Sequence, residues 1–366
     1  MNPLKSVHEL GQSIWLDDIR RDWLEDGTFA RLIAEDGLAG VTSNPAIFAK
    51  AIGEGRVYDE TIFALAEDGL PAGKIYERIV LADVQAAADL FRPTFDRARG
   101  GDGFVSLEVS PHLADDTPGT LAEARRLWRE FDRPNAMIKV PGTRAGLPAI
   151  RMLISEGINI NVTLLFGLER YGEVVEAWMS GLEERVQRGQ GIEGISSVAS
   201  FFLSRIDTLV DPKLDGMGSA DAKALRSRAA IASARLAYEM FEKWEASERW
   251  TKLAARGGRA QRLLWASTSA KDPKLSDTYY VEALIAPHTV NTLPRATIDA
   301  YRDHGKPAVR IGEDLEGARR AVDGLKRLGI DLEVVSDQLE REGVKKFNEP
   351  FDALHTTLEK RIAEGR

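Results

Sequence analysis

Residues 135–147 read Asn135-Ala136-Met137-Ile138-Lys139-Val140-Pro141-Gly142-Thr143-Arg144-Ala145-Gly146-Leu147. The run 136–140 is short and apolar, with Pro134 before it and Pro141-Gly142 after it, so it reads as a strand. Side chains alternate along a strand. Lys139 therefore shares a face with Met137, and Ala136, Ile138 and Val140 share the other. Gly142-Thr143 then opens a helix, with Thr143 in a capping position. A lone lysine between aliphatics ordinarily marks a solvated strand face. Its meaning depends on what surrounds the strand.

Seven more stretches read as strands: 13–17, 40–43, 105–109, 158–163, 195–199, 262–266 and 289–293. Helical patterns separate them. One covers 20–36 and closes at Gly37, and one covers 75–91 and stops at Pro93. Others cover 121–130, the stretch up to Glu156, 168–188 and 279–284. The segment 220–248 reads as mostly helix and is unusually long. Helices fill the remainder, apart from an edge-like strand at 332–335. Strands alternating with helices imply a parallel sheet. Eight strands at this length imply a single-domain (β/α)8 TIM barrel over residues 1–366, with additional helices. A doubly wound open sheet is the alternative fold.

Composition narrows the function classes. The 57 acidic residues outnumber the 49 basic ones, for a net charge of -8. That balance argues against nucleic acid or an acidic membrane as a partner, while a few local cations can still bind phosphate. With no cysteine, disulfides, thiolate metal sites and a cysteine nucleophile are excluded. The five histidines, His8, His112, His288, His304 and His355, lie too far apart in sequence for metal-ligand spacing. No dinucleotide loop follows a strand, and no phosphate loop ends in Gly-Lys-Ser or Gly-Lys-Thr. The first twelve residues are polar, so no signal peptide is expected. No run of 18 apolar residues exists, so no membrane span is expected. The expectation is a cytoplasmic enzyme acting on small molecules, as a monomer or homodimer.

Asp17, Glu108, Lys139, Asn161 and Thr163 each alternate with aliphatic residues in their strands. In a barrel both sheet faces are covered, so one set meets the helices and the other enters the lumen. An Asp, a Glu, a Lys, an Asn and a Thr then point into one interior. Buried charges are costly unless paired or used. These residues also fall near the carboxyl ends of their strands, where barrel active sites sit. An ordinary lysine amine is neutral about once in a few thousand at pH 7. A dry surrounding favours the neutral form, which attacks carbonyls. The iminium that results is an electron sink, so a neighbouring C–C bond can break with no metal or other cofactor. Carboxylates are then needed to move protons. Trp15 and Trp265 either line the lumen or pack behind it.

The stretches Gly40-Val41-Thr42-Ser43-Asn44-Pro45-Ala46-Ile47-Phe48 and 136–147 resemble the two signature segments of the transaldolase family. The resemblance continues through 158–166 to Arg205, and more loosely through 265–294. The opening 13–17 resembles the longer bacterial branch. This resemblance implies a class I aldolase barrel that moves a dihydroxyacetone unit from sedoheptulose 7-phosphate to glyceraldehyde 3-phosphate. The products would be erythrose 4-phosphate and fructose 6-phosphate, in the non-oxidative pentose phosphate pathway. It implies that Lys139 forms the Schiff base, that Glu108 is an acid/base acting through a water, and that Thr163 helps hold that water. Asp17 would take and return the proton of the C4 hydroxyl. Asn44, Asn161 and Ser200 would bond the three-carbon fragment. Arg205 and Ser267 would hold phosphate. The family's usual arginine two positions after that serine is replaced by Ser269, and Lys271 is assigned as the substitute cation. A fructose 6-phosphate aldolase-like lyase and a non-catalytic sugar-phosphate sensor are the alternatives. Lyase relatives are shorter and lack the glutamate at position 108. An isomerase fusion is known in this branch, and no second catalytic domain is expected here.

Overall fold

A computed structural model describes residues 2–364. Eight strands form the centre: β1 Gln12–Leu16, β2 Gly40–Val41, β3 Phe104–Glu108, β4 Ala136–Pro141, β5 Ile160–Leu165, β6 Ser197–Phe202, β7 Arg262–Ala266 and β8 Thr289–Leu293. Each pairs in parallel with the next, and β8 pairs with β1 from Gln12 opposite Thr289 to Leu16 opposite Leu293. The sheet is thus a closed eight-stranded barrel ringed by helices, which excludes the open doubly wound alternative. Closure gives every central strand two covered faces.

Aliphatic and aromatic residues of one parity face the helices. Phe201 of β6 sits edge-on to Trp265 of β7, and Tyr171 of the helix Leu168–Gln187 packs edge-on against Phe201. Trp265 is therefore packing behind the barrel wall. Trp15 has the other parity and enters the lumen near its floor. Its indole Nε1 donates to Asp102 Oδ1 at 2.8 Å, Ser13 also donates to Asp102, and Arg262 Nη2 donates to Ser13 Oγ at 2.6 Å. These bonds plug the amino-terminal end of the barrel.

Several boundaries differ from the sequence reading, each for a local reason. The helix expected over 20–36 breaks at Gly27, whose φ of +80° ends Arg21–Glu25 and starts Thr28–Asp36. Pro93 does not stop its helix, which runs Ala72–Arg97. Pro93 and Asp89, whose carbonyl loses its partner, are both on the exposed side, where water can serve it. The long helix over 220–248 is three helices, Ala220–Leu225, Ala229–Glu245 and Glu248–Ala254. Ser227 interrupts it at φ +57°, held by bonds from its N and Oγ to Asp211 at 2.8 and 2.9 Å. The expected edge strand at 332–335 is the first turn of a 33-residue helix, Leu332–Glu364. There Asp331 accepts from the Glu333 N–H at 2.9 Å, and this cap overrides the β-propensity of Val334-Val335. Strands β5 and β6 each begin two residues later than read, and β5 carries an irregularity at Leu164, where φ is +62°.

The terminal helix packs on Pro45–Glu54, on the short turn Pro111–Leu113, on Ser204–Met217 and on β5. Those elements follow β2, β3 and β6, so the helix bridges the carboxyl end of the barrel. Its buried residues Val335, Leu339, Gly343 and Phe347 repeat every four positions, one continuous stripe. Gly343 lets the helix approach closely there: an added Cβ would sit 2.9 Å from Leu164 Cδ2. No helix among the described residues is long and apolar enough to cross a membrane.

Candidate active site

The register sets the site. Glu108 lies opposite Lys139, and Lys139 opposite Asn161, so three polar side chains form one inward row across β3, β4 and β5. Thr163 stands one inward position further along β5. Lys139 Nζ is 3.2 Å from Glu108 Oε2, and the two side chains are only 4% and 3% exposed. Nζ also donates to the Ser43 carbonyl at 3.1 Å. Both oxygens of Glu108 lack a well-directed hydrogen bond, and so does the buried Thr163 Oγ1. Asn161 is fixed at both ends: its Nδ2 donates to Ser106 Oγ at 3.0 Å and its Oδ1 accepts from Ser200 Oγ at 2.7 Å, leaving one N–H and one lone pair for another partner.

Above this row lies a cleft of about 550 Å³ that contains Asp17, Asn44, Lys139, Ser200, Arg205, Ser267 and Lys271. Asp17 follows β1 and accepts from Thr42 Oγ1 at 2.8 Å. Asn44 caps the next helix, its side-chain oxygen accepting from the Ile47 N–H at 3.0 Å. That cap fixes the side chain and leaves its amide N–H groups for another acceptor. Arg205 is the second residue of Ser204–Met217. Its guanidinium carbon lies 5.2 Å from the Phe202 ring centre and 5.9 Å from that of Phe347. Its Nη1 is buried without a hydrogen-bond partner, and among the described residues no carboxylate lies within 4 Å of it. Ser204 Oγ and Ser267 Oγ are 2.8 Å apart, and the Ser204 N–H donates to the Ser267 carbonyl at 2.9 Å. Ser267 adopts φ +55°, a conformation that a serine holds only where its surroundings fix it. Lys271 stands exposed on the rim and donates to Ser269 Oγ at 2.7 Å.

The electrostatics follow from enclosure. Burial pushes the Glu108 carboxyl above the usual carboxylate range; the Lys139 charge pulls it back and the Asp17 charge pushes the same way as burial. Burial likewise raises Asp17, against the pull of Lys139, the Thr42 bond, Arg205 and Lys271. Asp18, outside the proposed set, is pushed up to about 6 by burial and by the neighbouring Asp17 charge. Burial lowers Arg205, and Asp17 and Glu108 oppose it.

All ten residues singled out from the sequence thus converge on one end of the barrel. The sequence reading missed four partners. Thr42 holds Asp17, the Ser43 carbonyl holds Lys139, Ser204 holds Ser267, and Phe347 covers Lys139 with its ring centre 5.7 Å from Nζ. Thr42 and Ser43 lie inside the stretch 40–48, so their place beside Asn44 was the available signal. Nothing local marked Phe347, which reaches the site from just over 200 residues beyond Lys139 in the chain.

A plugged parallel barrel with a buried, glutamate-paired lysine at its open end defines an α/β-barrel enzyme that works from the carboxyl ends of its strands. The sequence profile described as "Transaldolase/Fructose-6-phosphate aldolase" matches residues 14–358, and the chain belongs to that family. A protein of Parafrankia sp. (strain EAN1pec), named transaldolase, is 48% identical over 364 residues, covering 99% of each chain. Another so named, from Frankia alni, is 47% identical over 365 residues, covering 100% of this chain and 98% of its own. One from Thiobacillus denitrificans is 46% identical over 354 residues, covering 97% and 99%.

Proposed function

We propose that the chain is a transaldolase that carries a dihydroxyacetone unit on Lys139. The observation that supports this most is the enclosed amine with Glu108 at 3.2 Å and Asp17 and Arg205 in the same cavity region. Lys139 Nζ attacks the C2 carbonyl of a ketose phosphate, and Glu108 relays protons through a water held with Thr163. The carbonyl oxygen leaves as water and the iminium forms. Asp17 takes the proton of the C4 hydroxyl as the C3–C4 bond breaks, and the electron pair moves into the iminium to give an enamine. An acceptor aldehyde replaces the departed one. The enamine carbon bonds to it, and Asp17 returns the proton to its oxygen. Water then releases the new ketose.

Asn44, Asn161 and Ser200 orient the fragment's hydroxyls. Arg205, Ser267 and Lys271 bind phosphate at the opening of Ser204–Met217, where helix N–H groups also favour an anion. Lys271 offers a point charge where an arginine would offer a planar fork. Its exposed, mobile-stemmed geometry fits a rim contact with phosphate. On this reading the donor is sedoheptulose 7-phosphate, the acceptor glyceraldehyde 3-phosphate and the setting the non-oxidative pentose phosphate pathway of the cytoplasm.

Borohydride treatment with fructose 6-phosphate tests the amine. A stable adduct mapped to Lys139 is expected, and none in Lys139→Met. An adduct on another lysine would refute the assignment. A coupled assay with and without acceptor aldehyde tests transfer. Release of dihydroxyacetone as fast as transfer would favour the lyase reading instead.

A further inference from the structure

We infer that Phe347, on the terminal helix, determines whether the bound three-carbon fragment is transferred or lost to water; this rests on the Schiff-base reading of Lys139. Three observations carry it. Phe347 lines the cleft and is 4% exposed. Its ring centre lies 5.7 Å from Lys139 Nζ and 5.9 Å from the Arg205 guanidinium carbon. It therefore covers the span between the carbon bonded to the amine and the group that grips the phosphate. The ring is also held firmly. Gly343, one turn earlier, brings the helix so near Leu164 that a Cβ there would meet its side chain at 2.9 Å, and Leu339 and Leu354 are buried on either side along the same helix.

The enamine has two fates. Its carbon can bond to an acceptor aldehyde, whose oxygen takes the proton from Asp17. Alternatively its carbon takes a proton from water, the restored iminium adds water at C2, and the C–N bond breaks. The second course frees dihydroxyacetone and the amine, with hydroxide neutralised by the proton set free. Hydrolysis at C2 also ends the productive cycle, so the step that sets loss apart is protonation of the enamine carbon by water, and a fixed apolar ring beside that carbon suppresses it. The cleft is otherwise mainly polar on that side: Ser200, Ser204, Thr208, Ser267 and Ser269 line it, with Phe202 as the other ring. An aldehyde large enough to reach Arg205 can lie beneath the ring, whereas bulk water is kept from the same space.

Phe347→Ala and Phe347→Leu separate loss of the ring from loss of bulk. In each variant, borohydride trapping with fructose 6-phosphate reports whether Lys139 still forms its adduct. The ratio of dihydroxyacetone release to transfer is then measured at saturating acceptor. We expect the ratio to rise at least tenfold in Phe347→Ala and by a smaller factor in Phe347→Leu, with the adduct kept. An adduct in both variants with a ratio within twofold of the parent would overturn the assignment of Phe347 alone. Absence of any Lys139 adduct in the parent would instead overturn the Schiff-base reading beneath it.

Discussion

Replacing Lys139 by Met should leave a buried carboxylate without its cation, and the size of that effect can be worked out. Nζ and Oε2 are 3.2 Å apart. At an effective dielectric of about 20 their attraction is about 5 kcal/mol. Glu108 is already above its ordinary value of 4.5 because it is buried. Without Lys139 that pull is gone, so the folded pKa of Glu108 rises further above its ordinary value and the variant folds with more of this carboxyl protonated. The unfolded chain still releases that proton near 4.5. Between those two values the folded state binds more protons than the unfolded one, so stability falls as pH rises. The fall is at most about 1.4 kcal/mol per pH unit, reached while Glu108 stays protonated in the folded state alone.

Asp17 also has a raised pKa and also feels Lys139, so it contributes a slope of the same sign. The double variant Lys139→Met with Glu108→Gln carries that background but lacks the Glu108 titration. Urea unfolding of both variants at several pH values isolates the difference. The two should be close in pH dependence below about 5, and above it the single variant should lose stability relative to the double as pH rises, by up to about 1.4 kcal/mol per pH unit. A gap that stays constant with pH would mean that Glu108 is hydrated or differently paired, and the enclosed ion pair would be refuted.

Asp17→Asn should lower kcat by a factor of about 10² to 10⁴, typical of losing a positioned acid/base, while the Lys139 borohydride adduct still forms. Loss of that adduct as well would place Asp17 before bond cleavage. Arg205→Ala should remove a charged hydrogen bond of about 1.5–3 kcal/mol, raising KM for phosphorylated donors about 10- to 150-fold. An unphosphorylated donor should be unaffected, and an equal change for both would argue against phosphate binding there. Gly343→Ala places a methyl 2.9 Å from Leu164 Cδ2. Overpacking of this kind costs about 1–3 kcal/mol, against a helix-propensity gain of about 1 kcal/mol for alanine over glycine, so urea unfolding should show a net loss of up to about 2 kcal/mol, and a net gain of about 1 kcal/mol would show that the Leu164 side chain gives way freely.

The inward row of the site was legible because strand parity is a local property. Asp17, Glu108, Lys139 and Asn161 alternate with aliphatics within four or five residues of chain, and eight such units close into one predictable shape. The same parity separates Trp15, which enters the lumen, from Trp265, which packs outside it. Boundaries were less legible, because they depend on single caps and single φ values. Asp331 turns 332–335 into helix and Ser227 breaks the helix before 229, and neither effect leaves a periodic trace. Phe347 was illegible for a third reason. Its stripe partners show that it is buried but not against what, since a long helix can pack beside a barrel or across its mouth.

The charges of the site explain why it tolerates enclosure. Asp17, Glu108, Lys139 and Arg205 include two anions and two cations, so the set is neutral before substrate enters. Any one of them alone would be expensive to bury, since an unpaired interior charge costs several kcal/mol, on the order of 3–5 when its partner is removed. On the proposed mechanism the balance survives each step. The iminium on Lys139 keeps the single positive charge of the amine it replaces. When the C3–C4 bond breaks, that charge vanishes as the enamine forms, and Asp17 becomes neutral by taking the hydroxyl proton. One positive and one negative charge disappear together, so a low dielectric favours this step over any state that separates them. The raised Asp17 works in the same direction, because a carboxylate made more basic by burial is a stronger acceptor for that proton. The enclosure that makes the four residues a stability risk one at a time is therefore what lets them act as a set.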